Sequence, residues 1–153
     1  MDQAQQDFFG LRGESAHSGC RSEDMEVLSS RRVLLIDDDP VFRSVFAKVA
    51  LREGLDVEAF DSLIEVEPFS RISCYRGVIF DFHLDQIDGV ELASHLESIL
   101  DGIPMLLVSA DGCAESTMLE RCPGVFGAFM GKNEGCHRIA QKIRAMMNLS
   151  RRL

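Results

Sequence analysis

The chain predicts an α/β protein built on one parallel sheet of five strands, with helices crossing over between successive strands. Three observations carry that expectation. From Arg31 onward, short β-rich apolar runs alternate with longer segments of helical period, the pattern of repeated strand–helix units. The third run is continuously apolar, and the other core strands nearly so, as strands covered on both faces are. Polar groups then stand at the ends of several runs, where an open parallel sheet presents its binding rim.

The first strand is RVLLI, residues 32 to 36. Asp39 and Pro40 supply a helix N-cap and a first-turn proline. PVFRSVFAKVALREG then places Val41, Phe42, Val45, Phe46 and Val49 on one helical face and stops at Gly54. LDVEAF is a second strand. DSLIEVEPFSR opens with a capping box, Ser62 to Glu65, and Pro68 cuts that helix short. GVIFDF is the third strand, and DGVELASHLESIL a helix with Val90, Leu92, Ala93, Leu96, Ile99 and Leu100 as its apolar positions. IPMLLVSA, CAESTMLERC, FGAFMG and NEGCHRIAQKIRAMMNL complete the chain as strand, short helix, strand and final helix.

Composition limits the function. The 153 residues suit one domain and a tail, and residues 1 to 30, poor in apolar positions, read as a flexible arm. A net charge of -9 disfavours nucleic acid, whose binding needs a cationic footprint. No apolar stretch is long enough to span a bilayer. Cys20, Cys74, Cys113, Cys122 and Cys136 are an odd count without a C-x-x-C pair, and no charged-then-apolar leader is present. The expected location is therefore the cytoplasm, with reduced thiols and no membrane contact.

The strand ends gather Asp37, Asp38, Asp81, Ser109 and Lys132 at one rim. One carboxylate after the first strand would serve as a helix cap. Two more repel each other and the cap, unless a divalent cation sits among them. Asp81, after the apolar GVIF, is costly to bury unpaired. With Asp37 and Asp38 it makes an oxygen-rich pocket suited to Mg²⁺, and Lys132 can pair with it.

LLIDDDP, VIFDFHLDQIDGVEL, PMLLVSA and AFMGK, in that order and spacing, resemble the four blocks of a response-regulator receiver domain, the phosphoacceptor module of two-component signalling. The resemblance covers residues 31 to 149, leaving 150 to 153 as the C-terminal end. It implies a doubly wound, flavodoxin-like (βα)5 fold with strand order 2-1-3-4-5. It also implies that Asp81 accepts a phosphoryl group from a histidine kinase or histidine phosphotransfer protein. Asp38 would bind Mg²⁺ directly, Asp37 through water, and His83 through its backbone carbonyl. Ser109 would bond a phosphoryl oxygen, Lys132 would pair with phosphoryl charge, and Phe129 would be the aromatic switch. The response would be a change in the face formed by the fourth helix, fifth strand and fifth helix, which receivers use for dimers or protein targets. Met118, Met130, Met146 and Met147 read first as packing, with some bordering that face. These residues include no output domain, so the chain is either a stand-alone receiver signalling through protein contact or one piece of a longer protein.

This chain departs from the family at two places. Asp85 stands where proline is usual, and Asn133 follows the lysine where the family has proline after a cis bond; a cis bond before Asn133 would cost about 2.5 to 4 kcal/mol. The fifth loop is expected to be shaped differently. His83 and Asp111 occupy positions that in this family tune how long the phosphoryl group survives. The residues fit other classes less well. A haloacid-dehalogenase-type phosphatase needs an acid at position 83, a flavodoxin phosphate loop would not carry three aspartates, and the glycines before Lys132 are spaced one short of a P-loop. The protein is thus read as a signalling module rather than an enzyme, with self-phosphorylation from small donors and self-dephosphorylation. A receiver-like docking module that takes no phosphate is the alternative.

Overall fold

A computed structural model describes residues 31–84, 87–88, 102–112, 116 and 127–150. The arm expected over 1–30, Met118 and Asp85 lie outside the described residues, as do the helices expected over 88–100 and 113–122 apart from Asp88, which is in a strand instead, and Ser116, which is helical.

Five strands form one parallel sheet: β1 (Arg32–Ile36), β2 (Asp56–Phe60), β3 (Gly77–Asp81), β4 (Met105–Ser109) and β5 (Gly127–Gly131). Their order is β2-β1-β3-β4-β5, the flavodoxin-like order expected above. Beyond β3, His83–Leu84 and Ile87–Asp88 pair as a short antiparallel ladder. Because side chains alternate across a strand, β1, β3 and β4 feed two cores at once. Leu34, Ile36, Val78, Phe80, Met105 and Leu107 pack on one face, while Val33, Leu35, Ile79, Leu106 and Val108 pack on the other. Each such buried side chain contributes about 1.5 to 3 kcal/mol. That double burial explains why these strands read as continuous apolar runs.

The second face is covered by α1 (Pro40–Arg52) and α2 (Cys136–Ser150). Asp39 caps α1 as expected, its carboxylate accepting from the Val41 and Phe42 N–H groups, and Gly54 ends the turn beyond it at φ 78°. The buried face differs from the expected one. Phe42, Phe46 and Ala50 face the sheet, whereas Val41 and Val45 are 68% and 47% exposed. One residue step turns a helix by about 100°, so Val41 and Val45 cannot share the direction that Phe42 and Phe46 take. The helices are tied together where Glu53 meets α2. Arg144 Nη1 donates to the Glu53 carbonyl at 2.9 Å, and His137 Nδ1 lies 2.8 Å from Glu53 Oε1.

The segment between β2 and β3 also departs from expectation. It contains no α-helix, only 3-10 turns at Ile64–Val66 and Phe69–Cys74. Pro68 forces Glu67 into extended backbone (φ -58°, ψ 141°), which ends the first turn. The capping box is displaced as well, since the Glu65 carboxylate accepts from the Asp61 N–H. Val66, Ile72 and Tyr75 nevertheless reach the first core. Glu58 on β2 anchors this segment by accepting from Arg32, Arg71 and the Tyr75 hydroxyl.

Candidate functional site

Four strands deliver the site at the carboxyl edge of the sheet. Ile36 ends β1, so Asp37 and Asp38 enter the rim directly; Asp81 closes β3, Ser109 closes β4, and Lys132 follows β5. Asp37 is fully buried, Asp81 is 6% exposed and Ser109 1% exposed. Asp38 is half-buried, and Asp39 is exposed and spent on its helix cap.

Lys132 connects the strands. Its Nζ donates to Asp81 Oδ2 at 2.8 Å and lies 2.7 Å from Asp37 Oδ2. Lys132 thus bridges two buried carboxylates with a single ammonium. The other oxygen of Asp37, Oδ1, accepts from the Asp39 N–H at 2.9 Å. Burial raises the Asp37 pKa above the ordinary aspartate value, and the nearby Asp81 charge adds to the rise; Lys132 and the Asp39 N–H offset part of it. Burial alone would lower the Lys132 pKa, yet hydrogen bonding and charge attraction from Asp37 and Asp81 hold it above the usual lysine value.

Among the described residues, carboxylate oxygens of Asp37, Asp38 and Asp81 lie within 4.8 Å of one another. This donor set fits Mg²⁺, which takes one or two carboxylates and retains waters. The charge balance favours that fit, because three converging carboxylates share one ammonium. Asp37, Asp38 and Asp81 would hold the ion.

Of the remaining expected residues, His83 touches this cluster directly. The His83 N–H donates to Asp81 Oδ1 at 3.1 Å, and its imidazole Nε2 is 3.4 Å from Asp111 Oδ2. Ser109 Oγ accepts from the Asp111 N–H at 3.0 Å. Phe129 is half-buried on β5, paired in register with Leu107 and packed against the first core. Met130 and Met147 are buried in the second core and Met146 packs beside it, in keeping with their packing role.

The fifth loop follows from Asn133. The Lys132–Asn133 bond is trans, as Glu67–Pro68 is the cis bond among the described residues. Lys132–Glu134 forms a 3-10 turn, Gly135 takes φ 93°, and α2 starts at Cys136 instead of the expected Asn133. A Cβ at Gly131 would meet Asn133 Oδ1, the end of an exposed side chain that can turn aside.

Two α1 residues at the site were not identified from the sequence. Arg43 Nη1 donates to the Asp37 carbonyl at 2.5 Å. The Phe42 ring lies under Lys132 Nζ, 4.6 Å from centroid to nitrogen. Both are adjacent to the aspartates in the chain, but only the first turn of α1 aims them back at the rim.

The fold and this acidic rim are those of a receiver-type signalling module. The family model for the response regulator receiver domain matches residues 33–143, and the chain belongs to that family. It is 29% identical over 119 residues to the transcription regulator BvgA of Bordetella pertussis, covering 76% of this chain and 56% of BvgA. It is 27% identical over 94 residues to the transcriptional regulatory protein GlrR of Escherichia coli, covering 61% of this chain and 21% of GlrR. The chain therefore spans about half the length of BvgA, or less for GlrR. A CheY-like receiver domain protein from Methanospirillum hungatei superposes with TM-score 0.66 at 20% identity, over 80% of this chain and 97% of that one. The beryllofluoride-activated NtrC4 receiver domain dimer gives TM-score 0.65 at 17% identity, over 78% and 98%. These likenesses establish the fold. No described helix is long and apolar enough to cross a membrane.

Proposed function

We propose that the chain is the phosphoacceptor of a two-component pathway in the cytoplasm, taking a phosphoryl group on Asp81 from a histidine kinase or histidine phosphotransfer protein. One observation carries the reading: Lys132 Nζ reaches both Asp81 and Asp37 at the rim where Asp38 also converges. A rim that concentrates three carboxylates and one buried ammonium is built for charge that arrives and leaves.

An Asp81 carboxylate oxygen attacks phosphorus, forming an acyl phosphate as the P–N bond of the donor phosphohistidine breaks and the imidazole departs. Catalysis of such a transfer is mostly positioning and neutralisation of the equatorial oxygens. Asp38, Asp81 and the His83 carbonyl, with Asp37 through water, would hold Mg²⁺, which would supply a Lewis acid for those oxygens. Lys132 transfers its contact from the Asp81 carboxylate to the phosphoryl group, and the Ser109 hydroxyl turns to donate to another oxygen. That movement vacates space beside β5 for Phe129 to turn inward, a local charge event that biases a two-state loop. The altered face then meets a protein target or a second copy; the NtrC4 receiver solved as an activated dimer supports the latter.

The test is incubation with Mg²⁺ and acetyl phosphate, read by intact mass beside Asp81→Asn. A Mg²⁺-dependent gain of one phosphoryl group, lost in the variant, is expected. No gain, together with no binding of beryllofluoride, would leave the docking-module reading in its place.

A further inference from the structure

We infer that Phe42 is a positioning residue for Lys132, holding its ammonium against Asp37 and Asp81 through the face of its ring. An ammonium has three N–H groups. In this site Nζ meets Asp81 Oδ2 at 2.8 Å, Asp37 Oδ2 at 2.7 Å and the Phe42 ring face at 4.6 Å. The Lys132 side chain is only 13% exposed, so the ring occupies a direction that water would otherwise take. A cation is attracted to that face, more so when desolvated.

The ring is itself held in place. Phe42 stacks on Phe46 with centroids 5.7 Å apart and planes 17° from parallel, and Phe46 is fully buried in the second core. The two phenylalanines stand four residues apart on α1 and so lie one above the other. Asp39 fixes the start of that helix, and Arg43 ties its first turn to the Asp37 carbonyl. A continuous column thus runs from the core through Phe46 and Phe42 to Lys132 and its carboxylates. An aliphatic side chain at position 42 would fill the space without attracting the charge, and the ammonium would be free to drift toward the rim.

The geometric assignment stands on these contacts, and its consequence for phosphoryl transfer rests on the function proposed above. The experiment separates the two. A double-mutant cycle pairs Phe42→Leu with Lys132→Met, which keeps an apolar stem and removes the charge, and reads the unfolding constant by urea denaturation. Phe42→Leu is expected to raise that constant about tenfold more when Lys132 is present than in the Lys132→Met background. Phe42→Tyr, which keeps the ring face, is expected to restore the wild-type value. Equal effects in the two backgrounds would overturn the assignment, as would a Phe42→Tyr protein that behaves like Phe42→Leu. If Phe42→Leu does not fold, Phe42→Met takes its place in the same cycle. The acetyl phosphate reaction is then run on the same proteins, with a several-fold slower modification of Asp81 expected for Phe42→Leu and recovery for Phe42→Tyr. An intact coupling with unchanged rates would confine Phe42 to the resting fold and overturn its role in the reaction. Absence of phosphorylation in the wild type would instead fault the proposed function and leave the denaturation cycle valid.

Discussion

Asp37 is the charged group of the rim with the least exposure to solvent. It is fully buried, with Lys132 Nζ 2.7 Å from its Oδ2. Its raised pKa has a definite sign for stability. The folded protein binds that proton more tightly than the unfolded chain, so the contribution is fully present below the ordinary aspartate pKa of 3.8 and is lost as pH rises through the folded value. At neutral pH the charged carboxylate therefore works against folding, and a cation that meets it relieves the cost. At ten times its Kd, Mg²⁺ should add about 1.4 kcal/mol, a rise in Tm of about 5 °C for a domain of this size. Thermal unfolding with and without Mg²⁺ checks this, and Asp37→Asn should abolish the shift. A variant that keeps the full shift would place the ion elsewhere.

At the scale of elements, the site is only as accurate as the packing of the helices behind it. α2 crosses β3 at Gly77, where an added Cβ would lie 3.1 Å from Ile143 Cδ1 and from Met147 Cγ. Ile143 is fully buried, so it has little room to retreat, while Met147 has rotamers to spare. Gly77→Ala should therefore destabilise by about 1 to 2 kcal/mol, measured by urea denaturation, with partial recovery in Gly77→Ala/Ile143→Val. Full stability in the single variant would show that α2 can slide away from the sheet without loss. This close approach leaves no mark in the sequence, where Gly77 reads as the residue before an apolar run.

For the whole molecule, stability should fall on the alkaline side for two separate reasons. Tyr75, the single tyrosine of the chain, is pushed up to about 12 by burial and by its bond to Glu58, from an ordinary 10.0. Its contribution is fully present below pH 10 and is lost as pH rises through about 12. Lys132 has the same sign: its stabilisation holds below the ordinary lysine value of 10.5 and is lost above its raised folded value. Urea titrations from pH 9 upward should show a steady loss, on the order of 2 kcal/mol of it from Tyr75. Tyr75→Phe should be less stable at neutral pH and flatter in this range. A single-tyrosine absorbance titration provides the second measurement, and a native midpoint near 10 would contradict the Glu58 bond.

The sequence by itself determined the five strands, the burial of β1, β3 and β4 on both faces, and the carboxylates at the ends of β1 and β3. Those properties are written in local patterns: apolar runs of strand length, Asp39-Pro40 as a helix start, and Asp81 closing GVIFD. The order of the strands was implied by the resemblance of four separated blocks to the receiver family, since no single block carries it. Tertiary structure decided the rest. It chose which phenylalanines and valines of α1 face the sheet, replaced the expected helix before Pro68 with 3-10 turns, and delayed α2 to Cys136 behind Gly135. It also placed Lys132 between Asp37 and Asp81 with Phe42 beneath it, across sequence separations that no periodicity records. Periodicity specifies that a helix is amphipathic, but the angle at which it meets a sheet is set by the packing of all its neighbours together.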